Sequence, residues 1–284
     1  MTTPPLLVTA DWLADHRDKP GIKIIDASFH LPTSGRDVTT EFADKHIPGA
    51  VLFDIDQIKD ANSPLPHMLP SAEDFGAMVS DLGISQDDHV VAYDTVGIFS
   101  APRAWWMFRA MGHQAISVLD GGLPAWARAG YETEAGAAAP SPAEYRATLQ
   151  PDMVLGFEPM QAKVAAGEPV VDARAAERFA GGVPEPRPDL RSGHIPGSMN
   201  LPFNQLLDRE TGQFTEHTSL KAAFEQAGVD LDKPLITSCG SGVTAAVLTF
   251  ALAMLGKHDV QLYDGSWAEW GMEGGPDIAT GPAA

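Results

Sequence analysis

The chain contains one thiol, Cys239, which opens the segment CGSGVTA over residues 239–245. Gly240 and Gly242 allow the backbone to curl around the sulfur, since glycine tolerates conformations that other residues avoid. An apolar run that predicts a strand precedes the segment, and one that predicts a helix follows it. Such a loop aims backbone N–H groups at an anion. Because these groups and a helix N-terminus favour a thiolate, Cys239 is predicted to be a nucleophile.

Two other interpretations of this loop compete with the nucleophile. A lone cysteine is most often an inert, buried thiol. A cysteine phosphatase would carry an arginine six positions after the cysteine, where this chain has Ala245. Without that arginine, nothing in the loop holds a phosphoryl group through two parallel hydrogen bonds, which disfavours the phosphatase.

The elements that position the loop belong to an internal duplication. Four pairs of segments resemble each other in the same order, at offsets of 144 to 148 residues. They are IIDAS (24–28) with VVDAR (170–174), KHIPGAVLFDI (45–55) with GHIPGSMNLPF (193–203), HVVAYD (89–94) with PLITSC (234–239), and VLDGGLPAW (118–126) with LYDGSWAEW (262–270). The repeat predicts two homologous domains.

The Ala-, Pro- and Gly-rich stretch 134–151 reads as a connection between these domains. We expect an N-terminal domain over 1–135, with Asp94 at the nucleophile position, a linker over 136–155, and a catalytic domain over 156–284.

Short apolar runs alternate with helical patterns in each half. The second half predicts strands over 169–172, 235–238 and 260–263, with helices over 219–227 and 245–255. This alternation is typical of an α/β fold with a mainly parallel sheet flanked by helices. In such folds the chemistry lies beyond the carboxyl ends of the strands.

The duplication also separates structural from functional candidates, since residues common to both halves are expected to serve the fold. On this basis His46 and His194 are interpreted as loop-forming residues, and Asp26, Asp172, Asp120 and Asp264 as caps or turn formers. Two arginines occur in one half only: Arg178 and Arg187 stand six and fifteen residues past Asp172, where the first half has Pro32 and Glu41. Arginine is the natural clamp for a planar anion, although a single arginine is more often a solvated surface residue.

Composition limits the possible partners and compartments. With 19 basic and 38 acidic residues, the net charge of −19 argues against a nucleic-acid partner. One cysteine excludes an intramolecular disulfide and a cysteine-rich zinc site. The longest apolar stretch, 245–256, has 12 residues and is too short to cross a bilayer. The N-terminus lacks a basic segment typical of a signal peptide. These features predict a cytoplasmic protein with no membrane partner, and neither metal nor cofactor is expected.

Together, the repeat, the HIPG motif in each half, and CGSGVTA followed by DGSWAEW resemble the two-domain rhodanese superfamily. Further segments support the resemblance over about residues 5–275: FDIDQI (53–58), SPLPHMLP (63–70), SAPRAWWMFRAMGH (100–113) and ERFAGGVPEPR (177–187). The resemblance implies tandem rhodanese-like domains, of which the second is catalytic.

The resemblance also implies roles for individual residues. Asp56, His67 and Ser241 would form a Ser-His-Asp arrangement that handles protons, although sequence leaves open that His67 is a loop residue and Asp56 a cap. Arg178 and Arg187 would hold the substrate's carboxylate and ketone. The backbone N–H groups of the loop would cradle a persulfide, with Gly240, Gly242, Val243 and Thr244 as substrate-binding residues.

The implied reaction is a double displacement. Sulfur would move from 3-mercaptopyruvate to Cys239 as a persulfide, with release of pyruvate, and then to an external thiol, cyanide or a thioredoxin-like protein. Rhodaneses that prefer thiosulfate typically carry basic residues after the cysteine, where this chain has Gly240 and Ser241. Two alternatives remain: a thiosulfate sulfurtransferase, and a non-catalytic rhodanese module that binds proteins.

Overall fold

Two parallel sheets of five strands each organise residues 4–283, the part of the chain that the computed structural model describes. The strands are β1 (Leu7–Val8), β2 (Ile22–Asp26), β3 (Ala50–Leu52), β4 (His89–Tyr93), β5 (Ile116–Leu119), β6 (Val154–Leu155), β7 (Val170–Asp172), β8 (Met199–Asn200), β9 (Leu235–Ser238) and β10 (Val260–Tyr263). Their order is β1-β5-β4-β2-β3 in one sheet and β6-β10-β9-β7-β8 in the other. The identical order confirms the duplication that the repeated segments predict.

Helices connect the strands, as parallel pairing requires. They are α1 (Ala10–His16), α2 (Val38–Asp44), α3 (Ala72–Asp81), α4 (Ala101–Ala110), α5 (Gly122–Arg128), α6 (Phe157–Ala165), α7 (Ala176–Phe179), α8 (His217–Gln226), α9 (Ala245–Met254) and α10 (Ser266–Trp270). Short 3-10 helices lie at Pro32–Ser34, Pro151–Met153 and Phe203–Leu206. The predicted α/β fold with parallel sheets is confirmed, and the five predicted elements of the second half match within two residues.

Local chemistry explains where several helices begin. Thr9, Asp37 and Ser71 precede α1, α2 and α3, and the side chain of each accepts a hydrogen bond from a backbone N–H in the first turn. By contrast, α9 is apolar on every face and nine of its ten residues are buried, so burial within the domain stabilises it. No helix in the described chain has the length and apolarity to cross a membrane.

The contacts divide the chain into two units that differ from the two halves of the sequence in short segments. The first unit comprises residues 4–60, 69–150 and 209–214, and the second comprises 61–68, 151–208 and 215–283. Segment 61–68, which includes His67, therefore belongs to the second unit although it lies in the first repeat.

Asp120 shows how a shared aspartate takes a different role from the one predicted. Its carboxylate accepts hydrogen bonds from the Phe214 N–H at 2.9 Å and the Gln213 side chain at 3.3 Å. It holds segment 209–214 in the first unit, whereas no side chain caps α5. Burial raises the pKa of Asp120, and these two hydrogen bonds oppose that rise.

The region predicted as a linker, 136–155, has no helix or strand over 137–150, yet it is attached to both units. Tyr145 is buried against Phe75 and Phe108, with ring centroids 6.0 and 6.1 Å away. The Thr148 N–H donates to the Met111 carbonyl at 2.9 Å. At the other end, β6 is an edge strand of the second sheet. Packing of one aromatic ring and pairing of one short strand thus draw this stretch into the two units.

The histidines of the two HIPG motifs have matching structural environments. His46 stacks on Phe42 with ring centroids 4.1 Å apart, and its Nδ1 lies 2.7 Å from the Phe42 carbonyl oxygen. His194 stacks on Phe179 at 3.8 Å, with Nδ1 at 2.9 Å from that residue's carbonyl oxygen. Burial lowers the pKa of His194. These contacts support the structural interpretation of both residues.

Candidate active site

Cys239 lies directly after β9, the central strand of the second sheet. The residue is 2% exposed, and α9 begins at Ala245 after a short loop. The N–H groups of Trp267 and Ala268 donate to the carbonyls of Cys239 and Gly240, each at 2.9 Å. The predicted arrangement of strand, glycine-containing loop and helix N-terminus is confirmed, and α10 fixes the first two residues of the loop.

The loop offers N–H groups that are not used elsewhere in the domain. Within residues 4–283, the N–H groups of Gly240, Ser241, Val243 and Thr244 make no hydrogen bond to a protein acceptor. The sequence also predicts Gly242 as a donor, and here the structure differs. Its N–H donates to Ser266 Oγ at 3.1 Å, and its φ of +77° makes it the turning point of the loop.

Arg178, from the one-turn helix α7, reaches the cysteine loop. A methyl group added to Gly240 would lie 3.2 Å from Nη2 of Arg178, so the absence of a side chain at position 240 makes room for this guanidinium. Nε of Arg178 is buried without a hydrogen-bond partner. A buried N–H donor of this kind can pair with an oxygen of a bound anion.

Ser241 lies between two further residues named from the sequence. Its Oγ is 3.1 Å from Nδ1 of His67 and 3.4 Å from Nη2 of Arg187. His67 is 2% exposed and adopts a φ of 61°, which is uncommon for a residue with a side chain. Non-glycine residues held in this region cluster at functional sites. The structure therefore brings together Arg187, Ser241 and His67 beside the nucleophile loop.

Asp56 belongs to the first unit, where its N–H donates to Oδ1 of Asp54 at 2.8 Å. Its pairing with His67 remains a prediction.

Glu185, which sequence reasoning missed, lies between two guanidinium groups. Its side chain is 1% exposed, and its two oxygens accept hydrogen bonds from Arg174 Nη1 at 2.9 Å and Arg178 Nη2 at 2.5 Å. A buried carboxylate in this position fixes the guanidinium of Arg178. The only sequence signal for Glu185 is its position between the two candidate arginines in the segment ERFAGGVPEPR (177–187).

Arg174 connects Glu185 to the end of strand β7. It makes a bidentate pair with Asp172 at the end of β7 and lies 4.4 Å from the ring centroid of Trp267. Burial lowers its pKa, but the carboxylates of Asp172 and Glu185 and the charge of Cys239 raise it, and the net effect is a raised pKa. Asp172 thus forms the predicted turn, through the Arg174 N–H at 2.9 Å, and anchors a permanent cation near the nucleophile.

Ser266, the first residue of α10, is a second residue that sequence reasoning missed. Its Oγ accepts hydrogen bonds from the N–H groups of Cys239 at 3.2 Å and Gly242 at 3.1 Å. Comparing the two repeats could have identified Ser266, because the second has DGS (264–266) where the first has DGG (120–122).

The corresponding loop of the first unit is filled by its own side chain. The carboxylate of Asp94, which is fully buried, accepts hydrogen bonds from the N–H groups of Phe99, Ser100 and Ala101 at 2.8 to 3.0 Å and from that of Val96 at 3.1 Å. This loop demonstrates that the fold binds an anionic group at that point. It also leaves the first unit without a nucleophile there.

The arrangement around Cys239 suits nucleophilic chemistry on an anionic substrate. The loop after the thiol has backbone N–H groups without a protein acceptor, two guanidinium groups lie beside this loop, and a serine–histidine pair can carry protons. Across the described residues, no cluster of three or more His, Cys, Asp or Glu side chains is placed to hold a metal ion.

Comparison with known proteins identifies the family. The model of the rhodanese-like domain matches residues 9–129 and 158–273. The human 3-mercaptopyruvate sulfurtransferase is 45% identical over 98% of this chain and 96% of its own length. A thiosulfate sulfurtransferase of Gallus gallus is 42% identical over 93% of this chain and 92% of its own.

A solved structure supports the same family assignment. The crystal structure of SseA from Escherichia coli, described among 3-mercaptopyruvate sulfotransferases, superposes with a TM-score of 0.85 at 44% identity and covers 93% of this chain and 99% of that one. Both the sequence and the fold match over nearly the whole length. The chain therefore belongs to the rhodanese family, in the group of two-domain sulfurtransferases that includes the 3-mercaptopyruvate enzymes.

Proposed function

We propose that the protein transfers sulfur from 3-mercaptopyruvate to an external acceptor through a persulfide on Cys239. The observation that carries the proposal is the placement of two guanidinium groups, those of Arg178 and Arg187, beside a cysteine loop whose own next residues, Gly240 and Ser241, are uncharged. Mercaptopyruvate has its charge on a carboxylate several bonds from the sulfur. Remote arginines suit that distribution better than a cation next to the cysteine.

In the first step the Cys239 thiolate attacks the substrate sulfur. The carbon–sulfur bond breaks, and its electron pair remains on carbon as the enolate of pyruvate. The proton lost from the substrate thiol balances the proton gained by this enolate. Ser241 and His67, hydrogen-bonded at 3.1 Å, provide groups that can carry that proton near neutral pH.

In the second step an acceptor attacks the outer sulfur of the persulfide, and the Cys239 thiolate leaves. The chain has no second cysteine that could resolve the persulfide internally, so the acceptor is external. Cyanide would yield thiocyanate, and a small thiol or a thioredoxin-like dithiol would yield a persulfide. A reducing compartment, the cytoplasm in this proposal, supplies such thiols.

The positions of Arg178 and Arg187 favour 3-mercaptopyruvate over thiosulfate as the sulfur donor. Thiosulfate carries its charge next to the transferred sulfur and leaves as sulfite, so a cation close to the cysteine would stabilise that leaving group. A cation at position 240 would instead meet Arg178. The similarity to a thiosulfate sulfurtransferase keeps thiosulfate as the second candidate donor.

Parallel assays separate these possibilities. Pyruvate release from 3-mercaptopyruvate and thiocyanate release from thiosulfate are measured with cyanide as acceptor, and kcat/KM is expected to favour mercaptopyruvate by a large factor. Without acceptor, mercaptopyruvate should add one sulfur to the intact mass, and cyanide should remove it. The variant Cys239→Ser should show neither turnover nor added mass.

Each result has a defined meaning. Equal or better use of thiosulfate would contradict the choice of donor. Residual turnover in Cys239→Ser would contradict the persulfide route. Absence of added sulfur with both donors would identify a binding module instead of an enzyme.

A further inference from the structure

The hydroxyl of Ser266 joins the two ends of the tight turn at Cys239. The residue is fully buried, and its Oγ accepts hydrogen bonds from the N–H groups of Cys239 and Gly242 while donating to the Tyr263 carbonyl at 2.9 Å. A hydroxyl has one proton and two lone pairs, so these three bonds use its full capacity. Ser266 therefore acts on the loop backbone and has no proton left for the sulfur.

The backbone of Ser266 adopts a conformation that favours glycine. Its φ is 50°, and Gly122 at the equivalent place in the first unit has a φ of 52°. The loops are held alike in both units, because Leu123 N–H donates to the Asp94 carbonyl at 3.0 Å just as Trp267 N–H donates to that of Cys239 at 2.9 Å. The second unit thus keeps a strained serine where glycine would suit the backbone better.

The two units organise their loops by opposite means. In the first, the carboxylate of Asp94 lies inside the loop and accepts its N–H groups, which leaves no space or charge complement for another anion. In the second, the neutral hydroxyl oxygen of Ser266, at the start of α10, holds the loop from outside. The N–H groups of Gly240, Ser241, Val243 and Thr244 remain available within it.

We infer that Ser266 is a positioning residue for the sulfurtransfer reaction. By holding the N–H groups of Cys239 and Gly242, its hydroxyl fixes the curvature of the loop, and we expect this curvature to present the remaining N–H groups to the anionic sulfur of the thiolate and the persulfide. Because the hydroxyl is uncharged, it organises the cradle without repelling that sulfur. This inference rests on the proposed function for its catalytic consequence, although its effect on the thiolate is independent of the donor.

The variant Ser266→Gly tests this role with little disturbance of the backbone, since the first unit has glycine in the same conformation. We expect a folded protein whose kcat falls roughly tenfold, as small misplacements of catalytic groups cost rates of this order. KM should change less than about twofold, because the substrate arginines are untouched. The pH profile for alkylation of Cys239 by iodoacetamide should move to higher pH, because fewer aligned donors favour the thiolate.

Two further variants separate the hydroxyl from other effects. Ser266→Ala removes the hydroxyl but keeps the Cβ, and it should match Ser266→Gly in kcat and in the alkylation profile. A defect confined to the glycine variant would point to backbone freedom and overturn the inference. Ser198→Ala removes another buried hydroxyl of the same unit, one that donates to the Ile195 carbonyl at 2.6 Å, and it should leave both readouts unchanged.

Alkylation requires no sulfur donor and therefore separates this inference from the proposed function. An unchanged alkylation profile in both Ser266 variants would overturn the role of Ser266 whatever the enzyme's substrate is. A shifted profile in a protein whose wild type ignores mercaptopyruvate would retain the role of Ser266 and reject the proposed donor.

Discussion

At the scale of single residues, the sequence indicated those whose chemistry is unusual for their context. A lone cysteine between glycines and two arginines absent from the other repeat stand out by type and spacing, and Arg178 does reach the cysteine loop. Glu185 and Ser266 do not stand out, because acidic residues and serines are common in any soluble chain. Their importance depends on burial and on hydrogen-bond partners, which only the folded chain reveals.

Gly240 has a different role in the structure from the one that the sequence suggested. The sequence suggested that glycine lets the loop curl, yet Gly240 does not adopt a positive φ, and the space beside it is occupied by Arg178. A side chain here would compete with the guanidinium that is proposed to bind substrate.

The first residue-scale prediction follows from that contact. Gly240→Arg should displace Arg178 by steric overlap and by repulsion of like charge, and should lower kcat/KM for mercaptopyruvate by more than about a hundredfold. Gly240→Ala, whose methyl group lies 3.2 Å from Nη2, should lose about tenfold or less. Steady-state kinetics give both values. Gly156→Ala is the control, because open space surrounds that glycine and its φ is ordinary. Equal effects of Gly240→Arg and Gly240→Ala would exclude competition with Arg178.

At the scale of elements, apolar periodicity was sufficient for three strands (β7, β9 and β10) and two helices (α8 and α9) of the second half. It gave no element in the stretch 136–155, which was interpreted as a linker, and it missed β6 there. One buried ring, Tyr145, and one strand of two residues, β6, attach this stretch to the units. Short edge strands have too few residues to produce a detectable pattern.

The helix α7, which carries Arg178, has only four residues and no side-chain cap. Helices of this length are not stable alone, so tertiary contacts must position its side chains. These contacts include the stacking of Phe179 on His194 and the ion pair of Arg178 with Glu185, which Arg174 also pairs with.

Replacement Glu185→Gln should therefore loosen the substrate site. Removing the charge between the buried guanidinium of Arg174 and the partly buried one of Arg178 is expected to lower the free energy of unfolding by about 1–3 kcal/mol, as for other buried polar groups deprived of a partner. KM for mercaptopyruvate should rise roughly tenfold with a smaller change in kcat, because Arg178 would sample other positions. Denaturant titration and steady-state kinetics test these values. Glu168→Gln, which removes the partially exposed pair with Lys163, should change neither by a measurable amount. A lower KM in Glu185→Gln would show that Glu185 restrains Arg178 from binding instead of positioning it.

At the scale of the whole molecule, the repeat predicted two domains of one fold, and the identical strand orders confirm it. The sequence did not indicate that segment 61–68, with His67, belongs to the second unit, or that 209–214 belongs to the first. The predicted boundaries assumed that each domain is one continuous stretch of the chain. That assumption cannot identify a short segment that belongs to the other unit. The second unit consequently acquires a candidate proton-transfer residue from the first repeat.

The duplication also allows a test of which features are needed for sulfur transfer. The loop of the first unit binds the carboxylate of Asp94 through its N–H groups, and the corresponding loop of the second unit has N–H groups without a protein acceptor. Only the second has arginines six and fifteen residues beyond the aspartate of its second repeated strand; at those distances the first has Pro32 and Glu41, and the carboxylate of Glu41 pairs with Arg36.

If the donor is recognised through its carboxylate, a cysteine in the first loop should not suffice. The variant Asp94→Cys, incubated with mercaptopyruvate and no acceptor, is expected to gain a single sulfur per chain by intact mass, located on Cys239. The double variant Asp94→Cys with Cys239→Ser is expected to gain none. Labelling of the new thiol by iodoacetamide after mild denaturation verifies that it is reduced and able to react. A second added sulfur would mean that the loop by itself selects the donor, and the arginines would then have to be assigned to another task.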